Sequence, residues 1–128
     1  MAQTHAIPIE LRFSDLDLYG RVNSVVYCSY LETARVKLFK DFFQELTEKQ
    51  IFTLVARVEC DYKVPILFGD DLIVSVVVAR IGTTSFDLDY RLHDGREKTY
   101  ATARTAMVCF DNVKKVTVPV PECISTLA

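Results

Sequence analysis

The sequence predicts an α+β fold in which a five-stranded antiparallel sheet wraps around one long helix. Three observations carry this expectation. Apolar and polar residues alternate in several separate stretches, with the period of two that a half-buried strand requires. Between the first and second of these, apolar residues recur at steps of three and four, the period of a helix. The remaining strands are separated by short turn sequences, and tight turns join antiparallel neighbours. With one helix available, the apolar face of the sheet has one thing to cover.

Taken in order, Ile7, Ile9, Leu11 and Phe13 alternate with Pro8, Glu10 and Arg12, which predicts a first strand. Pro8 falls near its start, where a missing N–H is tolerated. Residues Ser14 to Ser24 break the pattern with Asp15, Asp17, Gly20 and Asn23, all turn or cap formers. A helix is expected from about Val25 to Leu46, with Tyr27, Tyr30, Leu31, Ala34, Leu38 and Phe42 on its apolar face and Asn23 or Ser24 capping its first turn. The consecutive Val25, Val26 and Tyr27 predict a helix start buried on most sides.

Phe52 to Val64 alternates without interruption and reads as a long second strand. Leu72 to Ile81 is rich in Val and Ile, the composition of a strand covered on both faces. Phe86, Leu88, Tyr90 and Leu92 form one face of a fourth strand, and Asp94-Gly95 is a hairpin signal that leads to a fifth, Lys98 to Phe110. His93 is expected to be exposed at that turn. A partly extended tail containing Pro119 and Pro121 follows.

At 128 residues the chain is read as one domain, residues 1–128. Half its residues are hydrophobic and its net charge is -2, so nucleic acid is not expected as a partner. No apolar run reaches the roughly 20 residues of a membrane span, and residues 1–5 do not resemble a secretory leader. Cys28, Cys60, Cys109 and Cys123 are scattered, with no CxxC pair, so no metal site is expected. Free thiols fit a cytoplasmic protein. The uncovered edge and second face of such a sheet call for a homodimer or homotetramer.

There is no GxGxxG, Walker loop, GxSxG or HExxH. The chemistry is left to the polar stretch before the helix. Asp15 and Asp17 can share a side, Gly20 permits a sharp turn, and Asn23-Ser24 opens a helix whose first N–H groups are unpaired. A carboxylate beside such a helix end is a workable acyl-transfer site, because the amides stabilise a developing oxyanion. The same residues also serve simply as caps.

From Arg12 to Arg35 the sequence RFSDLDLYGRVNSVVYCSYLETAR resembles the signature of the hotdog-fold acyl-CoA thioesterases, in particular the 4-hydroxybenzoyl-CoA thioesterase family and its Tol-Pal-associated relatives. The resemblance implies a cofactor-independent hydrolase of an acyl-CoA or acyl-carrier-protein thioester. It places the catalytic carboxylate, nucleophile or general base, on Asp17 and the oxyanion donor on the backbone N–H of Ser24, and leaves Asp15 a structural role. Arg21 stands where the family has His and cannot act as a base. It could draw an anionic substrate group, with Asn23 beside it. Arg80, Thr83 and Ser85, in the turn before the fourth strand, fall where the family meets the coenzyme A arm; a solvated hairpin explains them equally well.

Glu32 is expected to pair with Arg35 three residues on. Phe13, Tyr19, Tyr27 and Phe52 suit either an acyl pocket or the core. The alternative function is a non-hydrolytic acyl-CoA or fatty-acid binder. A dehydratase is disfavoured, because neither His5 nor His93 is well placed.

Overall fold

The computed structural model describes residues 3–128. Its elements are β1 (Thr4–Ile9), α1 (Tyr27–Phe39), α2 (Phe43–Glu48), β2 (Ile51–Tyr62), β3 (Leu72–Ile81), β4 (Ser85–His93), β5 (Thr99–Asp111), a two-residue β6 (Val116–Thr117) and α3 (Glu122–Ser125). The long strands form one antiparallel sheet in the order β1-β3-β4-β5-β2, and β6 pairs with the end of β5. This is the hotdog architecture, a curled sheet around a central helix.

The helix lies where its apolar spacing requires. Tyr27, Tyr30, Leu31, Ala34 and Leu38 are all buried. They pack with Val74, Val76 and Val78 of β3, Phe86, Leu88, Tyr90 and Leu92 of β4, and Met107 and Cys109 of β5 in one core. Each fully buried Val, Leu or Phe contributes about 1.5–3 kcal/mol. One polar network crosses this interface: Arg35 donates to the Tyr90 hydroxyl at 3.2 Å, and that hydroxyl shares a 2.7 Å hydrogen bond with Thr105. Glu32 is exposed and the expected Glu32–Arg35 pair does not form, because Arg35 turns to Tyr90 instead. The buried phenol is the better partner for a half-buried guanidinium.

Several boundaries depart from the sequence reading. The first strand stops at Ile9, and Phe13 sits exposed in a 3-10 turn, Phe13–Asp15. The helix breaks at a 3-10 turn, Lys40–Phe42, which divides it into α1 and α2. Its start is not enclosed: Tyr27 is buried but Val25 is 72% exposed. The tail is not merely extended, since it supplies β6 and α3 and buries Ile124.

The alternation in β2 is interrupted by a bulge between Val55 and Arg57. Phe52 and Leu54 consequently pair with Phe110 and Val108 on the outer face, whereas Val58, Cys60 and Tyr62 pair with Thr105, Ala103 and Ala101 on the inner face. A single extra residue swaps the faces of everything beyond it. β3 buries one face and only half-covers the other. β2 and β3 are not neighbours: the chain crosses from one edge of the sheet to the far side of β4, and residues 63–71 form that crossover.

His93 is 8% exposed rather than a solvated turn residue. The Gly95 amide donates to its Nδ1 at 3.1 Å, so Nε2 carries the proton and donates to Ser75 Oγ at 2.7 Å. Burial, aided by the Arg91 charge and opposed by Asp94, lowers its pKa from 6.5.

Candidate active site

The two aspartates of the polar stretch have different environments. Asp15 is 2% exposed. Its carboxylate accepts from the Arg12 amide at 3.1 Å, the Arg12 guanidinium at 3.3 Å and the Tyr30 hydroxyl at 2.9 Å. Burial alone would raise its pKa, but the hydrogen bonds from Arg12 and Tyr30 and the Arg12 charge together hold it below 3.8. Every side of this group is engaged by the protein, and it fixes the loop to the helix.

Asp17 heads a tight turn. Its Oδ1 accepts from the amides of Tyr19 at 2.8 Å and Arg21 at 3.2 Å, and its own amide donates to the Arg21 carbonyl at 2.7 Å. Gly20 closes the turn at φ +75, where a side chain would strain the backbone. These bonds orient the carboxylate and leave Oδ2 without a hydrogen bond from the chain.

Beyond the turn, Val22 donates to the Ile66 carbonyl at 2.8 Å and Arg21 bridges to Leu67, so the loop is zipped against the crossover. Asn23 then caps the 3-10 turn Ser24–Val26 that leads into α1. Its side chain accepts from Val25 N at 3.2 Å and its carbonyl from Val26 N at 2.9 Å. The Ser24 amide, at the same end, has no acceptor among the described residues. The Tyr62 hydroxyl donates to the Ser24 carbonyl at 3.0 Å, and the Tyr27 and Tyr62 rings meet edge to face with centroids 4.8 Å apart. Burial raises the pKa of both phenols, which keeps Tyr62 a donor.

A cavity of about 390 Å³ gathers these groups, lined by Asp17, Arg21 to Ser24, Tyr27, and Tyr62 to Pro65. Four of the seven site residues expected from the sequence therefore converge. Arg80, Thr83 and Ser85 do not. Arg80 is ion-paired with Asp87 at 2.9 Å and donates to Ser85 Oγ at 3.1 Å. Ser85 pairs with Val108 of β5, whereas Tyr62 pairs with Ala101. Those positions lie about 23 Å apart at the rise of an extended strand. Phe13, Tyr19 and Phe52 also lie outside the cavity lining, whereas Tyr27 is within it. Tyr62, Lys63, Val64 and Pro65 were not expected in the site. Their only local signal is Pro65, which marks the end of a strand but not where the crossover lands.

The chain belongs to the thioesterase-like superfamily, whose family model matches residues 11–126. YsmA of Bacillus subtilis is 32% identical over 82 residues, 64% of this chain and 56% of YsmA, so the chain spans little more than half the length of that relative. A 1,4-dihydroxy-2-naphthoyl-CoA hydrolase from Thermosynechococcus vestitus is 26% identical over 88% of this chain and 80% of its own. The solved structure of PA2801 from Pseudomonas aeruginosa superposes with a TM-score of 0.83 at 31% identity, covering 96% of this chain and 95% of that one.

Proposed function

We propose that the protein hydrolyses an acyl-CoA thioester to a free acid and a thiol, with Asp17 as the catalytic carboxylate. One observation carries this reading: Asp17, whose Oδ2 takes no hydrogen bond from the chain, and the residues opening the helix line the same cavity. A thioester carbonyl seated between them meets a base or nucleophile on one side and, on the other, the Ser24 amide in the turn that opens α1. The residues suffice for hydrolysis of an already activated ester without metal or cofactor. The name of the cyanobacterial relative, an aryl-CoA hydrolase, supports coenzyme A as the carrier. It is also in keeping with the expected likeness to the 4-hydroxybenzoyl-CoA thioesterases.

The assembly we propose is a homodimer. β2 offers an unpaired edge with Val55, Val58 and Tyr62 exposed beside it. Arg80, Thr83 and Ser85 then serve the coenzyme A arm of a substrate bound to another copy, since they are too far from Asp17 of their own. Among the described residues no helix is long and apolar enough to cross a membrane. The four cysteines are free thiols, which supports a cytoplasmic setting.

The test is thiol release from short, medium, long and aromatic acyl-CoAs by wild type and Asp17→Asn. Turnover should fall by at least 10²-fold, with folding and assembly unchanged. Full hydrolysis by Asp17→Asn overturns the assignment. Binding of acyl-CoA without thiol release by the wild type would establish the non-hydrolytic alternative.

A further inference from the structure

The chain has eight arginines. Arg12, Arg57, Arg80, Arg96 and Arg104 are ion-paired, Arg35 donates to Tyr90, and Arg91 donates to Thr99. Arg21 alone has a guanidinium with no acceptor among the described residues; its Cζ lies 6.0 Å from the centroid of the Tyr19 ring. It lines the Asp17 cavity, and so does Lys63, whose ammonium likewise has neither ion pair nor hydrogen bond among the described residues.

The charge in this cavity is therefore unbalanced. Asp17 is the one carboxylate in its lining, against two cations. Asp17 spends its Oδ1 on backbone amides, so it does not neutralise Arg21. A guanidinium held over an aromatic ring, with its donors open, is suited to a planar oxyanion such as a carboxylate. The backbones of both residues are fixed: Arg21 N is bonded to Asp17, and Lys63 N to the Tyr100 carbonyl at 2.9 Å. Both residues thus line the cavity from anchored backbone positions.

We propose that Arg21 and Lys63 form a two-cation clamp for an acidic group carried on the acyl part of the substrate. The clamp rests on the thioesterase reading of this cavity and narrows it to acyl thioesters bearing a carboxylate or comparable anion. Coenzyme A phosphates are the other anionic part of such a substrate. They are separated from the sulfur by the whole pantetheine arm, whereas the cations share one small cavity with Asp17.

Binding to the full-length protein tests this without relying on turnover. Non-hydrolysable analogues, with a methylene between sulfur and carbonyl, would carry a glutaryl or a pentanoyl group on pantetheine, and the same two groups on coenzyme A. Affinities are measured by titration calorimetry for wild type, Arg21→Gln, Lys63→Gln and, as a surface-charge control, Lys114→Gln. The wild type should bind glutaryl-pantetheine at least tenfold more tightly than pentanoyl-pantetheine. Either cavity substitution should remove most of that preference, salt should weaken it, and Lys114→Gln should leave it intact. Equal affinity for the two acyl groups, or a preference untouched by both substitutions, overturns the clamp. A loss seen only on coenzyme A, regardless of acyl group, also overturns it and assigns the cations to the phosphates. A wild type that shows the charge preference but releases no thiol from glutaryl-CoA retains the clamp and sinks hydrolysis.

Discussion

The Tyr62 hydroxyl donates to the carbonyl of Ser24 across 3.0 Å, and this bond joins the last residue of β2 to the turn that opens the central helix. Two lining residues of the cavity, 38 positions apart in the chain, are thereby tied together. Because the bond fixes the peptide next to the proposed oxyanion amide, its loss should reach the chemistry. Tyr62→Phe keeps the ring against Tyr27 and removes only the hydroxyl. It should cost about 1 kcal/mol of stability and lower kcat severalfold more than it alters KM. Urea denaturation and steady-state kinetics measure the two effects; an unchanged kcat would show that the bond is only structural.

Asp15 should behave as a structural anchor rather than as a second catalytic acid. Asp15→Ala strands the Tyr30 hydroxyl and the Arg12 amide, and a cost of about 2–4 kcal/mol is expected. Its folded-state pKa lies below the ordinary 3.8. The carboxylate's contribution is thus complete above pH 3.8 and disappears as pH falls through the folded-state value. Chemical denaturation between pH 5 and pH 2.5 would show this as a slope that Asp15→Asn flattens.

His93 sets a second, milder pH dependence. The folded state lowers its pKa from 6.5, chiefly by burial. Unfolding therefore takes up a proton at mildly acid pH, so the stabilisation is present above pH 6.5 and is lost as pH falls through the folded-state value. Protonation also places a second N–H at Nδ1, where the Gly95 amide already donates. The urea midpoint of wild type should drop between pH 7 and pH 5, and His93→Gln should lack most of that drop.

If β2 pairs with β2 of a second copy, a charge on its exposed inner face should separate the copies. Val58→Glu should shift the sedimentation coefficient to that of a monomer. Thiol release should fall with it, because the proposed coenzyme A contacts come from the other copy. A wild type that sediments as a monomer, with full activity, would remove the dimer from the mechanism.

The fold was legible because its signals are local. Alternation in β4 and three-four spacing in α1 depend only on which neighbours share a face, and Phe86, Leu88, Tyr90, Tyr30 and Ala34 are buried as that spacing demands. Errors arose where one residue changes the phase. The bulge between Val55 and Arg57 sent Phe52 and Leu54 outward, and alternation by itself contains no mark of such an insertion.

Taken alone, the sequence determined a single helix in an antiparallel sheet and a carboxylate-bearing turn that leads into a capped helix, because both are written in contiguous residues. Only the tertiary structure decided what faces that turn. The crossover from β2 to β3 brings Tyr62 and Lys63 into one cavity with Asp17, and the pairing of β3 with β4 encloses His93 beside Ser75. These outcomes depend on strand order and on which side chains find partners, and both are set by packing between segments distant in the chain. Arg21 shows the difference most plainly: nothing adjacent in the sequence reveals that it is the arginine left without an acceptor.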